Sequence, residues 1–494
     1  MLKFSRVKTE DIFLAEDTSD IASKTVKNGL YTIVTQVLKF CLKTVSTVVL
    51  ARLLVPDDFG LIAMVMVIIN FAAMFKEAGL SIATIQQKSI TNDQISSLFW
   101  INVLISLTIA GLIVLAAPII ARFYGRSELY PVTLLFALSF FISGFTIQHN
   151  ALLKRLIRFD LIGIIDVGSR SIGLVCAIFF AFWNWGYYAL VFNSLATTIA
   201  MALLTYFFFP WKPHFVLKGK GIKRMLLFGG DITGFNVINY FSRNADNLLI
   251  GKYIGGESLG LYSKAYSIFM MPIRQIRVPI NSLTVPILSR LKNQPERYTR
   301  YCERIVEVLT IISLPITIVC YLEAGFIIKL MLGPGWEGAT TVFKVLALIA
   351  PLQVILGIRG GIMVSMGYSK RYLKLGIVYA VFTVSAFIIG LSHGIEGVAI
   401  AYVTSQFILF IPSLFYSFHK TPFSVSNFFE SVFPQIPIAL ISILIHFLIY
   451  QFVPIEPLKN IIGVLSILSV FIIFNAFRKK ARKSVTLILN QIRK

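Results

Sequence analysis

Ten of the 46 Lys and Arg residues fall inside long apolar stretches: Lys39, Lys43, Arg170, Arg243, Lys264, Arg274, Arg277, Arg304, Lys344 and Arg359. An ionised side chain at the centre of a membrane helix costs roughly 2.5–3.5 kcal/mol on insertion scales, so a cation kept there is expected to have an anion to meet. Arg304, Lys344 and Arg359 are the cheap cases, close enough to the end of a stretch to snorkel to the headgroups. The others lie on polar stripes. Thr32, Gln36, Lys39, Lys43 and Thr47 recur every three or four residues and share one helix face, with both lysines near its middle. Two readings are open for them: pairing with acids elsewhere in the bundle, or a water-filled anion site, which is the expectation. Asn236, Asn239, Arg243, Asp246 and Asn247 make a second stripe, in which Arg243 and Asp246 at i,i+3 could neutralise each other. Lys264, Ser267, Arg274, Arg277 and Asn281 make a third, with Pro272, Pro279 and Pro286 at seven-residue intervals. Each proline removes a backbone hydrogen bond and permits a kink. That helix is a candidate gate, or else a long helix whose lower half, including Arg277, projects into the cytoplasm. Asp166 and Arg170, four apart, read first as an internal ion pair.

Acids in the apolar stretches are fewer: Asp166, Asp231 and Asp246, with Glu77 near an end. A surplus of cations in a low-dielectric cavity suits an anion such as a phosphate or pyrophosphate. Lys39, Lys43, Arg243, Lys264, Arg274 and Arg277 are therefore candidates for binding an anionic headgroup. Asp166, Arg170, Asp231 and Asp246 are candidates for an ion pair or a coupling-ion site. Cys41, Cys176, Cys302 and Cys320 show no CxxC spacing, so neither a zinc site nor a disulfide framework is indicated. No Walker motif is present to hydrolyse ATP. The chain is expected to work without catalytic residues, metal or cofactor.

The elements that carry these residues follow from composition. The 494 residues are 56% hydrophobic and 14% charged, with mean hydropathy +0.79, which excludes a soluble globular protein. A helix needs about 20 apolar residues to cross the hydrocarbon core. Fourteen stretches qualify in the sequence: 28–52, 59–76, 95–121, 131–150, 160–182, 186–209, 225–251, 258–288, 300–322, 338–364, 372–391, 395–416, 432–452 and 459–477. They are continuous rather than alternating in polarity, so the expected class is an all-α polytopic membrane protein and not a β-barrel. The net charge of +23 is no nucleic-acid signature, because its placement alternates. Thirty cations fall in segments on the side of the N-terminus and six on the other, the positive-inside pattern, which implies an even number of spans and both termini in the cytoplasm. All five tryptophans lie near predicted helix ends. Residues 1–27 mix acids with lysines around no apolar core and read as a cytoplasmic segment rather than a signal peptide.

Three echoes suggest a duplicated unit. Ala51-Arg52-Leu53-Leu54-Val55-Pro56-Asp57-Asp58-Phe59-Gly60-Leu61 returns in outline at Gly251-Lys252-Tyr253-Ile254-Gly255-Gly256-Glu257-Ser258-Leu259-Gly260-Leu261, 200 residues on. The segments 119–125 and 327–333, and 186–190 and 394–398, match at an offset of 208. Internal duplication is the usual architecture of secondary transporters.

The block at 51–61, followed by Phe75-Lys76-Glu77-Ala78-Gly79-Leu80, resembles the polysaccharide transporter family of lipid-linked oligosaccharide flippases. The likeness is to the branch with the colanic-acid and teichuronic-acid exporters, in the multidrug/oligosaccharidyl-lipid/polysaccharide flippase superfamily. The resemblance implies a MATE-like fold of two six-helix lobes related by a pseudo-twofold axis. The segments would be a cytoplasmic segment 1–27, an N-lobe 28–210, a basic linker 211–224, a C-lobe 225–418, a helix pair within 419–477 and a basic tail 478–494. It implies export of undecaprenyl-pyrophosphate-linked repeat units for exopolysaccharide, capsule, O-antigen or teichuronic acid across the bacterial cytoplasmic membrane, by alternating access through a cavity lined by the first, second, seventh and eighth helices. Implied partners are the lipid-linked oligosaccharide, membrane lipid, a polysaccharide polymerase and a chain-length regulator, with no nucleic acid. A multidrug exporter or peptidoglycan-precursor flippase of the same superfamily is the alternative, and a membrane glycosyltransferase or polymerase a more distant one.

Overall fold

The computed structural model describes residues 21–76, 84–85, 90–216, 240–478 and 481–486, with positions 21–30, 278–279 and 281–282 as backbone only. All regular elements among the described residues are helices. The first six are α1 (Ile21–Leu53), α2 (Pro56–Lys76), α3 (Asn92–Tyr124), α4 (Leu129–Arg155), α5 (Phe159–Phe182) and α6 (Tyr188–Phe208). Residues 240–253 form α7. Then come α8 (Gly256–Leu291), α9 (Pro295–Leu322), α10 (Ala324–Leu332), α11 (Gly338–Ala347), α12 (Ala350–Ile355), α13 (Gly357–Ser365), α14 (Ser369–Gly390), α15 (Gly394–Phe418), α16 (Val425–Val432), α17 (Ile436–Phe452) and α18 (Leu458–Phe477).

Ten of the described segments are long and apolar enough to cross a membrane, or eleven if Gly338–Ala347 and Ala350–Ser365, bent by 51°, form one broken span. The all-helical class holds, but the expected fourteen crossings are not reached on this measure, for three reasons. The stretch 225–251 lies mostly outside the described residues. The stretch 258–288 is one helix, α8, whose Lys264, Arg274 and Arg277 dilute its apolar character. Ser369–Phe418 is a single apolar run of 50 residues, yet it holds two helices, α14 and α15, packed on each other across the turn Leu391–His393.

The chain divides into two compact units, Met1–Gly260 and Leu261–Lys494. In the first, α3 packs on α4, α5 on α6, α4 on α6 and α1 on α5. One end is sealed by Ile95, Leu98, Phe99, Leu152, Leu161, Ile165, Phe209 and Trp211. The Trp211 indole donates to Asn92 Oδ1 at 3.1 Å, and His149 Nε2 lies 3.1 Å from the Trp211 carbonyl. Polar tips thus find partners while the rings stay buried. His214 N–H donates to Ser96 Oγ at 3.1 Å, so the segment expected to open a linker at 211 is packed against the unit. In the second unit α9 is central, touching α11, α12, α16 and α18. The pair α17 and α18 closes on it through Ile318, Ile438, Ile467, Val470 and Phe471. Gln435 and Asn475 exchange amide hydrogen bonds of 2.8 and 3.2 Å between the ends of that pair.

The echoed sequences place glycines of positive φ at helix ends. Gly125 and Gly333, 208 apart, end α3 and α10 with φ of 70° and 89°. Gly186 and Gly394, also 208 apart, have φ of 52° and 69°. Glycine reaches positive φ without a Cβ penalty, which suits it to these positions, but ψ of 28° at Gly125 and −166° at Gly333 makes their two turns different. The block at 51–61 and its copy go further, because within the first unit they meet. Pro56 occupies the first turn of α2, where it has no N–H to lose, and Asp57 and Asp58 follow at the positive end of the helix dipole. Asp58 Oδ2 accepts the Val55 N–H at 3.2 Å. The first turn of α8, Gly256 to Gly260, lies on this turn so tightly that a Cβ on Gly60 would sit 1.8 Å from the Gly256 carbonyl oxygen. A Cβ on Gly260 would sit 1.8 Å from the Pro56 carbonyl oxygen. Since 56 corresponds to 256 and 60 to 260, each copy offers its glycine to the other's carbonyl, the reciprocity of a two-fold contact. Spacing small residues four apart is what permits such backbone approach between membrane helices. α7 and the start of α8 lie within the first unit.

Candidate functional site

The stripe on α1 is positioned by a small residue on α5. A Cβ on Gly163 would fall 2.3 Å from Thr35 Oγ1, so the missing side chain lets α1 lie against α5. One turn further along each helix, Lys39 Nζ and Asp166 Oδ2 form an ion pair, 127 residues apart in sequence. Lys39 has thus taken the first of its two readings, an acid elsewhere in the bundle. The Asp166–Arg170 pair is corrected accordingly: Asp166 faces α1 and is held by Lys39, while Arg170 is exposed. Lys43, the next turn of the stripe, is exposed. The Thr47 hydroxyl turns back to the Lys43 carbonyl at 2.9 Å and does not face a ligand.

The second stripe also departs from expectation. Asp246 is buried and its Oδ1 accepts the N–H of Asn247 at 2.8 Å. Arg243 is exposed and makes no ion pair among the described residues, so the i,i+3 neutralisation does not occur. Asp231, Asn236, Asn239 and Glu77 lie outside the described residues. In the second unit α8 continues through Pro272, Pro279 and Pro286 as one helix. Lys264 and Arg277 on it are half-buried and Arg274 is exposed, while the side chain of Asn281 lies outside the description. The six candidate cations do not form one cluster within a unit: Lys39, Lys43 and Arg243 belong to the first, Lys264, Arg274 and Arg277 to the second. Of the cations expected to snorkel, Lys344 lies 4.9 Å from the Tyr321 ring centroid. Arg359 donates to the Tyr379 hydroxyl at 2.9 Å and stacks on its ring, so it is bound within the protein rather than drawn to headgroups.

Sequence reasoning passed over the pair at the echoed turn. Arg126 grips Asp57 with two donors, at 3.2 and 2.8 Å, and lies 3.4 Å from Glu128. Donating to the Asp57 carboxylate raises the Arg126 pKa, against a lesser opposing effect of burial. Partners 69 residues apart have no local spacing to announce them.

The role of Gly163 is directly testable. Gly163→Ala is expected to push α1 off α5, break Lys39–Asp166 and cost about 1–3 kcal/mol, the usual range for overpacking. Adding Thr35→Ala removes the clashing oxygen and is expected to restore most of the loss in thermal melting of the solubilised protein. An additive double variant would show that the two helices are not registered by this contact.

Long apolar helices, some carrying charges on their faces, define a multi-pass membrane protein. Among the described residues no group of three or more His, Cys, Asp or Glu could hold a metal ion. A family profile described as polysaccharide biosynthesis protein matches residues 49–341, more than half of the chain, and the chain belongs to that family. It is 25% identical over 299 residues to the teichuronic acid biosynthesis protein TuaB of Bacillus subtilis (strain 168), covering 60% of this chain and 62%, less than two thirds, of that one. It is 22% identical over 398 residues to the lipopolysaccharide biosynthesis protein WzxC of Escherichia coli (strain K12), covering 80% of this chain and 81% of that one. Its fold is similar to that of the lipid II flippase MurJ in an inward closed conformation, with TM-score 0.71 and 16% identity over 90% of this chain and 98% of that one.

Proposed function

We propose that the protein translocates lipid-linked oligosaccharide repeat units, carried on undecaprenyl pyrophosphate, across the bacterial cytoplasmic membrane. The observation that carries this reading is the family match over residues 49–341, joined by likeness to relatives named for teichuronic acid and lipopolysaccharide biosynthesis. The chemistry is consistent with it. A diphosphate headgroup cannot shed its water into hydrocarbon unless charged donors replace that water, and Lys43, Arg243, Lys264, Arg274 and Arg277 are membrane-helix cations that could do so, with Lys39 held in reserve by Asp166. The polyprenyl tail would remain in lipid while the headgroup crosses by alternating access. The distribution of cations supports both termini lying in the cytoplasm, and a polymerase and a chain-length regulator are the partners this role would require.

The test is made in cells deleted for the gene and complemented with wild type or Lys39→Ala/Lys43→Ala, following surface polymer and lipid-linked intermediate together. The expected result is loss of surface polymer with at least tenfold accumulation of intermediate on the cytoplasmic side, corrected by wild type and not by a stably expressed double variant. Normal polymer without accumulation in the deletion would sink the reading and bring drug export forward.

A further inference from the structure

In the second unit a buried carboxylate holds the segment that follows α18. Glu307 on α9 has a side chain only 3% exposed. Its Oε2 accepts the Ser484 hydroxyl at 2.7 Å, and its Oε1 lies 3.5 Å from Arg478 Nη2. Residues 481–486 are helical, with Ala481 and Ser484, three apart, buried on one face and Arg482, Lys483 and Thr486 exposed. Five of the six residues 478–483 are Lys or Arg, while Phe474 and Phe477 just before them are exposed. The packing therefore buries the small neutral residues and turns Arg482 and Lys483 away from the protein.

The level at which this happens is set by α9 and α18. Residues 308–322 on α9 and 460–477 on α18 include no Asp, Glu, Lys or Arg. At 1.5 Å per residue these runs are about 22 and 27 Å long, near the roughly 30 Å of the hydrocarbon core. They are aligned at both ends. At one end Glu307 meets Arg478; at the other the Tyr450 hydroxyl lies 2.8 Å from Glu323 Oε2 and 2.6 Å from Asn460 Oδ1. Arg478 is thus the first residue past the apolar layer, and the cations after it stand at the depth of lipid headgroups. A cluster of Lys and Arg next to the end of a membrane helix attracts anionic lipid, over a range no longer than the Debye length. A charge run that only kept the chain solvated would need no carboxylate seat in α9 to fix its orientation.

We propose that the segment 478–486 is a binding face for anionic phospholipid headgroups of the adjacent leaflet, with Glu307 as the seat that orients it. The inference concerns the lipid around the protein and is independent of what the protein carries. Arg482 and Lys483 make the contact, as charged donors to headgroup phosphate oxygens. Arg478 is committed to Glu307, and Ser484 fixes the rotation of the helix about its axis.

The test is amide hydrogen exchange of residues 481–486 in the full chain, held in nanodiscs of phosphatidylcholine alone or mixed equally with phosphatidylglycerol. Exchange reads how often the docked helix opens, and each cation at an anionic surface is worth about fivefold in that equilibrium at low salt. The expected result is exchange at least tenfold slower in the anionic discs, with the difference lost in Arg482→Gln/Lys483→Gln and in about 1 M salt. Both substituted residues are exposed and outside the seat, so exchange in phosphatidylcholine is expected to stay as in wild type. Glu307→Gln is expected to speed exchange of the segment at least tenfold in both lipids, through loss of a charged hydrogen-bond acceptor. Exchange unmoved by Glu307→Gln overturns the seat. Equal exchange in the two lipids, or full slowing retained by the double variant, overturns the lipid site. The same slowing produced by inorganic phosphate in phosphatidylcholine discs assigns the face to free anions and overturns the lipid reading.

Discussion

Gly60→Ala and Gly260→Ala are each expected to destabilise the first unit by about 3 kcal/mol or more, at the upper end of overpacking costs, and to lower the apparent Tm by about 5 °C or more. The reason is the identity of the obstructing atom. Each new methyl would meet a backbone carbonyl oxygen at 1.8 Å, and a carbonyl inside a helical turn cannot rotate away as a side chain can. Relief requires α2 and the first turn of α8 to separate, which also removes Asp57 from the neighbourhood of Gly256. Because the contact is reciprocal, the double variant Gly60→Ala/Gly260→Ala is expected to cost less than the sum of the singles, since one separation relieves both clashes. Gly111→Ala is the control: its Cβ meets nothing within 4 Å, and in a helix interior alanine is favoured over glycine by about 1 kcal/mol. Equal melting of Gly60→Ala and Gly111→Ala proteins would refute the tight contact.

Asp166→Ala is expected to destabilise more than its removal from a surface would. Lys39 and Asp166 are 24% and 21% exposed at their side chains, so the pair lies between exposed bridges, worth about 0–1 kcal/mol, and fully buried ones, whose breaking costs about 3–5 kcal/mol. A loss of about 2 kcal/mol is expected. Lys39→Ala/Asp166→Ala removes both charges and is expected to recover most of that stability, because no uncompensated ion remains. Export should separate from stability in this double variant. If Lys39 meets the diphosphate when Asp166 releases it, surface polymer falls at least tenfold while melting stays near wild type, the size of one lost charge-assisted hydrogen bond. A double variant that melts and exports like wild type would assign Lys39 to structure alone. A charge swap, Lys39→Asp/Asp166→Lys, is expected to fold and not to export.

Much of the fold is legible in one sequence because the membrane imposes length and continuity on every helix. The ends of α3, α5, α6 and α9 fall within a few residues of the apolar stretches. The echoed glycines point to turns because positive φ admits few other residues. The candidate site is less legible. Periodicity says that Gln36, Lys39 and Lys43 share one face of one helix, but not which helix that face meets. Arg170 is within reach of Asp166 by spacing, and a close approach at Gly163, invisible in composition, hands Asp166 to Lys39 instead. Only the packing of α17 and α18 beside α9 brings Glu323 and His446 within 3.7 Å of each other. The sequence alone therefore determines a duplicated, all-helical membrane protein with cations in its spans, since hydropathy and local backbone preference act along the chain. Tertiary structure decides which charges are paired and which are exposed, since those depend on contacts between residues far apart in the chain.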